Sequence, residues 1–347
     1  ALHAAYLADS LHRLGVDLSV ISYRRQYPAG LYPGRNQREP ALPPLDLRPV
    51  DYLYDPVIPS TWKTVYQAIC NGCVKVLLLP WWHTIWSPGY AWLTRRLRGD
   101  GVRVIYMVHN VLPHESHPAD KLLARTALRI ADGYIVHAAS QKTALEQLFL
   151  PTSPIALSPH PLYPPQAELP LRAAARAALN IPTEEPLFLT FGFQRSYKGT
   201  SDLISAFDGL LSAGTRAHLA VIGEGWRGEK PVHSPVHRID RYLPAEELAL
   251  WIAAADWYVA PHRCATQSGS LALALGSGLQ AIISDALIFQ AVDSEAVNVE
   301  VFPVGDVPAL TTTLHKVIAA GSPERVLADP RPGWLAFARV VMNMCSL

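Results

Sequence analysis

Two loops in the 347-residue chain carry the residue types that bind phosphate. The first runs Phe191-Gly192-Phe193-Gln194-Arg195-Ser196-Tyr197-Lys198-Gly199, between an apolar run and a helical pattern. Gly192 lets backbone approach a ligand closely. Arg195 and Lys198 add two cations, a pairing suited to a diphosphate. The spacing is not that of a Walker loop, and a solvated pair of surface cations is the plainer alternative. The second loop runs from Ala260 to Ser270. There Thr266, Gln267, Ser268 and Gly269 would offer backbone N–H groups, hydroxyls and a helix dipole to an anion. A plain helix cap by Thr266 or Ser268 explains the same residues equally well. Five of the nine tryptophans (Trp62, Trp81, Trp82, Trp86 and Trp92) crowd into one short stretch of the first half. Aromatic faces stack on sugar rings, so Trp81, Trp82 and Trp86 are candidates to hold a sugar; core packing is the competing explanation for each ring.

The elements that must position these loops alternate helix and buried strand, the pattern of an α/β protein with parallel sheets. In the first half, Ala1–Leu14 has helical spacing and Asp17–Ser22 reads as a strand. Val74–Leu79 is an apolar strand ended by Pro80, and Tyr90–Arg98 a helix. Val102–Val108 and Gly133–Val136 are buried strands flanking the helix Lys121–Ile130. Prolines between Pro151 and Pro170 mark a linker. The second half repeats the alternation. Leu187–Phe191, His218–Ile222, Trp257–Ala260 and Gln280–Ser284 read as strands. Asp202–Leu211, Glu246–Ala254, Ser270–Ala274 and Pro308–Ile318 read as helices. The domains are therefore 1–160, 161–325 and a terminal helical segment, 326–347. Ligands of open α/β sheets bind beyond the carboxyl ends of the strands.

Hydrophobic residues make up 50% of the chain and charged ones 17%, which excludes intrinsic disorder. No apolar run reaches the roughly 18 residues of a membrane span. The net charge of +1 excludes a nucleic-acid binder held by phosphate contacts. It conceals an asymmetry. Residues 1–160 hold 16 Lys and Arg against 11 Asp and Glu, and residues 161–347 hold 14 against 18. A basic half suits an anionic ligand or an anionic membrane surface. Cys70, Cys73, Cys264 and Cys345 form no paired zinc pattern, so no metal is assigned. Few cysteines and no basic-then-apolar start point to a reducing, cytoplasmic setting.

Taken in order, Tyr197-Lys198-Gly199, Ile204-Ser205-Ala206-Phe207, Val221-Ile222-Gly223-Glu224-Gly225, Ala254-Ala255-Asp256 and Thr266-Gln267-Ser268-Gly269 resemble the donor domain of family-4-like retaining glycosyltransferases. In the first half Arg24-Arg25-Gln26-Tyr27-Pro28, Trp81-Trp82-His83, His109-Asn110-Val111-Leu112-Pro113-His114-Glu115 and His137 are similar to a bacterial subgroup. The resemblance implies the GT-B fold, two Rossmann-like doubly wound domains facing across a cleft. It also implies sugar transfer from a nucleotide-sugar donor to a glycan or lipid-linked acceptor, with retention and without metal or other cofactor. Arg195 and Lys198 match the family's cations on the leaving diphosphate, and His109 its histidine beside the donor sugar. Gly223, Glu224, Tyr242 and Leu243 match loops that frame the base, and Arg24, Arg25, Trp81, Trp82 and His83 fall on the acceptor side. Peripheral contact with the inner membrane face is a further implication.

The chain departs from that family at three places. Two glutamates common among relatives fall at Ala265 and Leu273. A glycine-rich segment is replaced by Ala286-Leu287-Ile288-Phe289-Gln290. The family's first strand and glycine-rich turn are expected upstream of Ala1. These departures motivate an alternative, a catalytically impaired GT-B homologue acting as a binding or assembly partner. A dehydrogenase is disfavoured, because the glycines from Gly223 to Gly228 lead into Pro231 and Pro235 rather than a helix.

Overall fold

The computed structural model describes residues 2–28, 50–113, 117–149, 152–225, 235–287, 299–325, 327 and 329–346. The chain divides into two compact units, Ala1–His160 with Arg331–Leu347, and Pro161–Pro330. Of the residues singled out above, Ala1, His114, Glu115, Pro151, Gly228, Pro231, Ile288, Phe289 and Gln290 lie outside the described residues.

The first unit contains α1 (Leu2–Arg13), β1 (Ile21–Tyr23), β2 (Asp51–Tyr54), α2 (Pro59–Asn71), β3 (Val76–Trp81), α3 (Ser87–Gly99) and β4 (Arg103–Val108). It continues with α4 (Pro118–Leu128), β5 (Gly133–Val136), α5 (Ala139–Phe149) and β6 (Ile155–Leu157). Strands β3-β4-β5-β6 form one parallel sheet in that order, and β1 and β2 pair separately, also in parallel. Three expectations need correction. Pro80 does not end its strand, which runs on to Trp81 with Pro80 opposite Met107. β3 lies at the edge of its sheet, where a residue without an N–H is tolerated. The proline-rich linker contains β6, another edge strand. The strand expected at Asp17–Ser22 is confined to Ile21–Tyr23.

The second unit contains α6 (Arg172–Leu179), β7 (Leu187–Phe191), α7 (Thr200–Ser212), β8 (His218–Ile222), β9 (Val236–Ile239), α8 (Ala245–Ala254) and β10 (Trp257–Ala260). It ends with α9 (Gly269–Gly276), β11 (Gln280–Ser284), β12 (Val299–Phe302) and α10 (Val307–Ala320). Among the described residues its six strands are all parallel, in the order β12-β11-β10-β7-β8-β9. This is the doubly wound order in which the chain starts mid-sheet, builds outward to one edge, then returns to build the other. Every residue of β7 and β10 is buried, because helices cover both faces. One face packs Phe188, Leu219, Val221, Trp257 and Val259 against Phe207 and Leu210 of α7 and Leu310 and Leu314 of α10.

The last helix, α11 (Arg331–Cys345), belongs to the first unit. Its C-terminal carbonyls at Met344 and Cys345 accept from the Arg103 guanidinium at 3.2 and 3.3 Å, which places a cation at the negative end of the helix dipole. Gly133 of β5 leaves the room α11 needs: a Cβ there would stand 2.8 Å from Met344 Sδ.

Candidate functional site

In the second unit the chain reverses its direction of building between β7 and β10, the switch point of the sheet. The two phosphate-type loops leave the carboxyl ends of these two neighbouring strands, so the topology brings them side by side. Backbone contact fixes them. Gly192 has φ +110° and donates its N–H to the Ile222 carbonyl at 2.9 Å. Gly223 has φ +138°, and a Cβ on it would stand 2.0 Å from the Gly192 carbonyl oxygen. Gly199, at φ +64°, packs its α-carbon against Pro261, where a Cβ would stand 1.9 Å from the carbonyl oxygen. No side chain fits at either of these two close approaches. Arg263 reinforces the junction: its N–H donates to Tyr197 O at 2.7 Å, and its guanidinium holds Asp202 with bonds of 2.9 and 2.6 Å.

Within this frame Arg195 precedes a single 3-10 turn, Ser196–Lys198, and Gly199 leads into α7. A Cβ on Gly192 would meet the Lys198 ammonium at 2.8 Å and Ser270 Oγ at 3.8 Å. Lys198 and the first turn of α9 therefore flank one stretch of bare backbone. Burial pushes the Lys198 ammonium down to about 8. Ser268 caps α9 by accepting from the Leu271 N–H at 3.2 Å, and its hydroxyl lies 3.1 Å from Ser270 Oγ. Ser270 Oγ in turn accepts from Tyr258 at 2.9 Å. Ser268 is buried, whereas Thr266 and Gln267 are half-buried and Gly269 is exposed. Gly223 and Glu224 follow β8, and the Glu224 carbonyl accepts from the Gln194 N–H at 2.8 Å. Past β9, Tyr242 is exposed, but Leu243 is 5% exposed, so its side chain is core and only its backbone can face a ligand.

Sequence reasoning missed Gln194. This buried side chain donates to the Gly192 carbonyl at 2.9 Å and accepts from Thr200 Oγ1 at 2.7 Å, so it shapes the loop from within. The available signal was a long polar side chain directly after an all-buried strand.

In the first unit His109 follows β4, with its N–H bonded to Trp81 O at 2.8 Å and its ring 5.4 Å from Trp82. Register places Val108 opposite Val136, so His109 and His137 stand side by side with ring centroids 5.2 Å apart. Of the acceptor-side candidates, Trp81 is withdrawn. It has no exposed surface, donates its indole N–H to Val111 O, and packs on Tyr90 and Tyr106. Trp86 is equally buried. Trp82 is half-buried and donates to the Tyr27 hydroxyl at 2.9 Å. His83 accepts from the Ile85 N–H, and burial lowers its pKa. Arg25 is tied to the buried Asp55 at 3.1 and 3.3 Å, which leaves Arg24 as the exposed arginine of that pair.

Residues 185–320, which contain both loops, match the family model described as glycosyl transferases group 1. No curated protein matches the chain in sequence. Solved structures do. A sucrose-phosphate synthase from Thermosynechococcus elongatus is similar at TM-score 0.61 and 16% identity, covering 98% of this chain and 86% of the other. A trehalose-6-phosphate structure from E. coli, bound with UDP-2-fluoro glucose, is similar at TM-score 0.58 and 12% identity, covering 83% and 78%. A UDP-forming trehalose-phosphate synthase from Burkholderia xenovorans, in complex with glucose-6-phosphate, is similar at TM-score 0.53 and 13% identity, covering 85% and 77%. The fold is thus mixed α/β with parallel sheets in two Rossmann-like units, and it matches GT-B glycosyltransferase structures.

Proposed function

We propose that the protein moves a sugar from a nucleotide-sugar donor to a glycan or lipid-linked acceptor, with retention of anomeric configuration. The observation that carries this reading is the pair Arg195 and Lys198 on a loop at the switch point of the second sheet, beside the N-terminus of α9. When the anomeric C–O bond breaks, negative charge grows on the departing phosphate, and fixed donors aimed there lower the barrier. Neither residues 192–199 nor residues 261–270 include an aspartate or glutamate. That composition suits a reaction in which the leaving phosphate itself takes the acceptor's proton on the same face of the sugar. Gly223, Glu224, Tyr242 and the Leu243 backbone would frame the base. His109 would order donor-sugar hydroxyls, and Arg24, Trp82 and His83 would serve the acceptor. Arg195 and Lys198 supply the positive charge, so the transfer itself needs no metal or other cofactor. Similar folds with UDP-2-fluoro glucose and with glucose-6-phosphate bound support a nucleotide-sugar donor and a sugar-bearing acceptor.

Thermal unfolding with UDP-, GDP- and ADP-sugars tests the donor site. A ligand at a hundred times its Kd stabilises the native state by about 2.7 kcal/mol. For a unit of this size that should raise Tm by roughly 5–10 °C. No shift with any of the three overturns the reading. Donor binding with no turnover, unaffected by Arg195→Ala and Lys198→Ala, would instead identify the non-catalytic homologue.

The basic residues of 1–160 suit an acceptor carried on an anionic membrane face. Binding to anionic vesicles should be measurable at low salt and should fade as salt screens it. Failure to co-float at low salt removes the membrane from the proposal.

A further inference from the structure

Four histidines of the first unit converge at the carboxyl edge of its sheet. His109 follows β4, His137 follows β5, His160 lies three residues past β6, and His3 reaches them from α1. The His3 ring lies 4.8 Å from His109, 5.0 Å from His137 and 5.0 Å from His160, centroid to centroid. Trp334 and Phe337 of α11 close the cluster at 5.2 and 5.3 Å from His3. From His3, His109 and His137, one ring nitrogen each can be chosen so that all three lie within 4.8 Å of one another.

Two observations distinguish this cluster from ordinary aromatic packing. His137 Nδ1 lies 3.0 Å from the Ser158 carbonyl, which makes it the N–H donor and leaves Nε2 as the lone-pair nitrogen. Among the described residues that buried Nε2 has no hydrogen-bond partner, and the same holds for both ring nitrogens of His3. His3 is 9% exposed and His137 6%. Buried polar atoms are normally paired, so unpaired nitrogens facing one another call for a shared partner that accepts lone pairs. An imidazole fixed by an Nδ1–H bond to a backbone carbonyl, with Nε2 presented inward, is the usual arrangement of a metal-ligating histidine.

We infer that His3, His109 and His137 form a binding site for a divalent transition metal of the zinc class. Imidazole nitrogens without carboxylates exclude calcium and magnesium, which take oxygen ligands, and three imidazole nitrogens suit zinc, whose tetrahedral shell takes one more ligand. Ligand nitrogens of a tetrahedral zinc site lie about 3.3 Å apart, at bond lengths of about 2.0–2.1 Å. The widest nitrogen pair therefore needs to close by up to about 1.5 Å when an ion binds. A bound ion would fasten α1 to the ends of β4 and β5. The inference needs no premise about sugar transfer.

Zinc titrated calorimetrically into the tag-free, chelator-treated chain should bind with one equivalent at micromolar affinity or tighter. His3→Gln and His137→Gln should each weaken binding at least tenfold, while His12→Gln, an exposed histidine of α1, should bind as the parent does. Cobalt(II) supplies a readout that needs no variant. It should give the intense visible bands of a tetrahedral ion, and zinc should displace them. Absence of micromolar binding overturns the inference, as do weak octahedral cobalt bands or undiminished affinity in folded His3→Gln and His137→Gln proteins.

Discussion

Asp256→Ala should lower the stability of the second unit by about 3–5 kcal/mol, the usual cost of breaking a buried ion pair from one side. Asp256 immediately precedes β10 and is 4% exposed. One oxygen accepts from Arg176 at 2.6 Å and from the Leu187 N–H at 2.8 Å. The other accepts from Arg172 at 2.6 and 3.1 Å. Arg176 has no exposed surface, and its remaining donors are taken by the carbonyls of Ala254, Pro182, Thr183 and Glu185 at 2.7–2.9 Å. Burial lowers the Arg176 pKa and Asp256 opposes that shift, so removing the carboxylate leaves a cation in the interior without its main counter-charge. It also orphans the first N–H of β7, the strand from which the Arg195 loop springs. Urea unfolding of Asp256→Ala checks the value. The double variant Arg176→Met with Asp256→Leu should recover most of the loss, since an apolar pair avoids desolvating charge. A single-variant loss below 1 kcal/mol would show that the network is dispensable.

Asp256 also shows what a sequence resemblance transmits. The run Ala254-Ala255-Asp256 helped to carry the likeness to glycosyltransferases, yet its carboxylate works at the amino end of the sheet, opposite the end where ligands bind. Elements were legible where burial is two-sided. β7, β8, β10 and β11 are predominantly apolar runs bounded by glycine, proline or polar residues, and their limits follow directly. The edge strands β6, β9 and β12 were not. β9 reads Val-His-Arg-Ile and β12 Val-Glu-Val-Phe, because an edge is partly solvated and permits polar residues. β6 was hidden among prolines for the same reason.

The site was legible to the extent that local chemistry follows a strand end. The loops after β7 and β10 could be picked out singly; their adjacency follows from strand order, which sequence does not display. Trp81 was misassigned because a fully buried indole and a sugar-stacking one have the same letter; only the position of β3 against β4 separates them. The histidine cluster was invisible. His3, His109 and His137 have no metal-ligand spacing along the chain, and only parallel register brings two of them together.

Arg195→Ala and Lys198→Ala should each reduce donor turnover by about 10²–10³-fold, the usual effect of removing one donor that stabilises developing charge. Affinity for the nucleoside should change much less, because the base and ribose make contacts elsewhere. Lys198→Arg should not rescue activity: the ammonium sits against Gly192, where even a methyl group would meet it at 2.8 Å, and a planar guanidinium is too wide. Lys198 also makes the reaction sensitive to pH in a particular direction. Its folded pKa is about 8, below the ordinary lysine value of 10.5, so kcat/KM should fall as pH rises through about 8 and the free protein loses that charge. Bound diphosphate favours the ammonium and should move the corresponding limb of kcat to higher pH. Stability has the opposite sign. Between about 8 and 10.5 the unfolded chain binds the proton that the native lysine has released, so this group makes the fold more stable as pH rises. Activity falling while native stability rises through the same window is the signature of a buried, charge-bearing lysine, and Lys198→Ala should abolish both slopes. A pH profile that is flat through 8 in the parent protein, or full turnover in either alanine variant, would remove Lys198 and Arg195 from the chemistry.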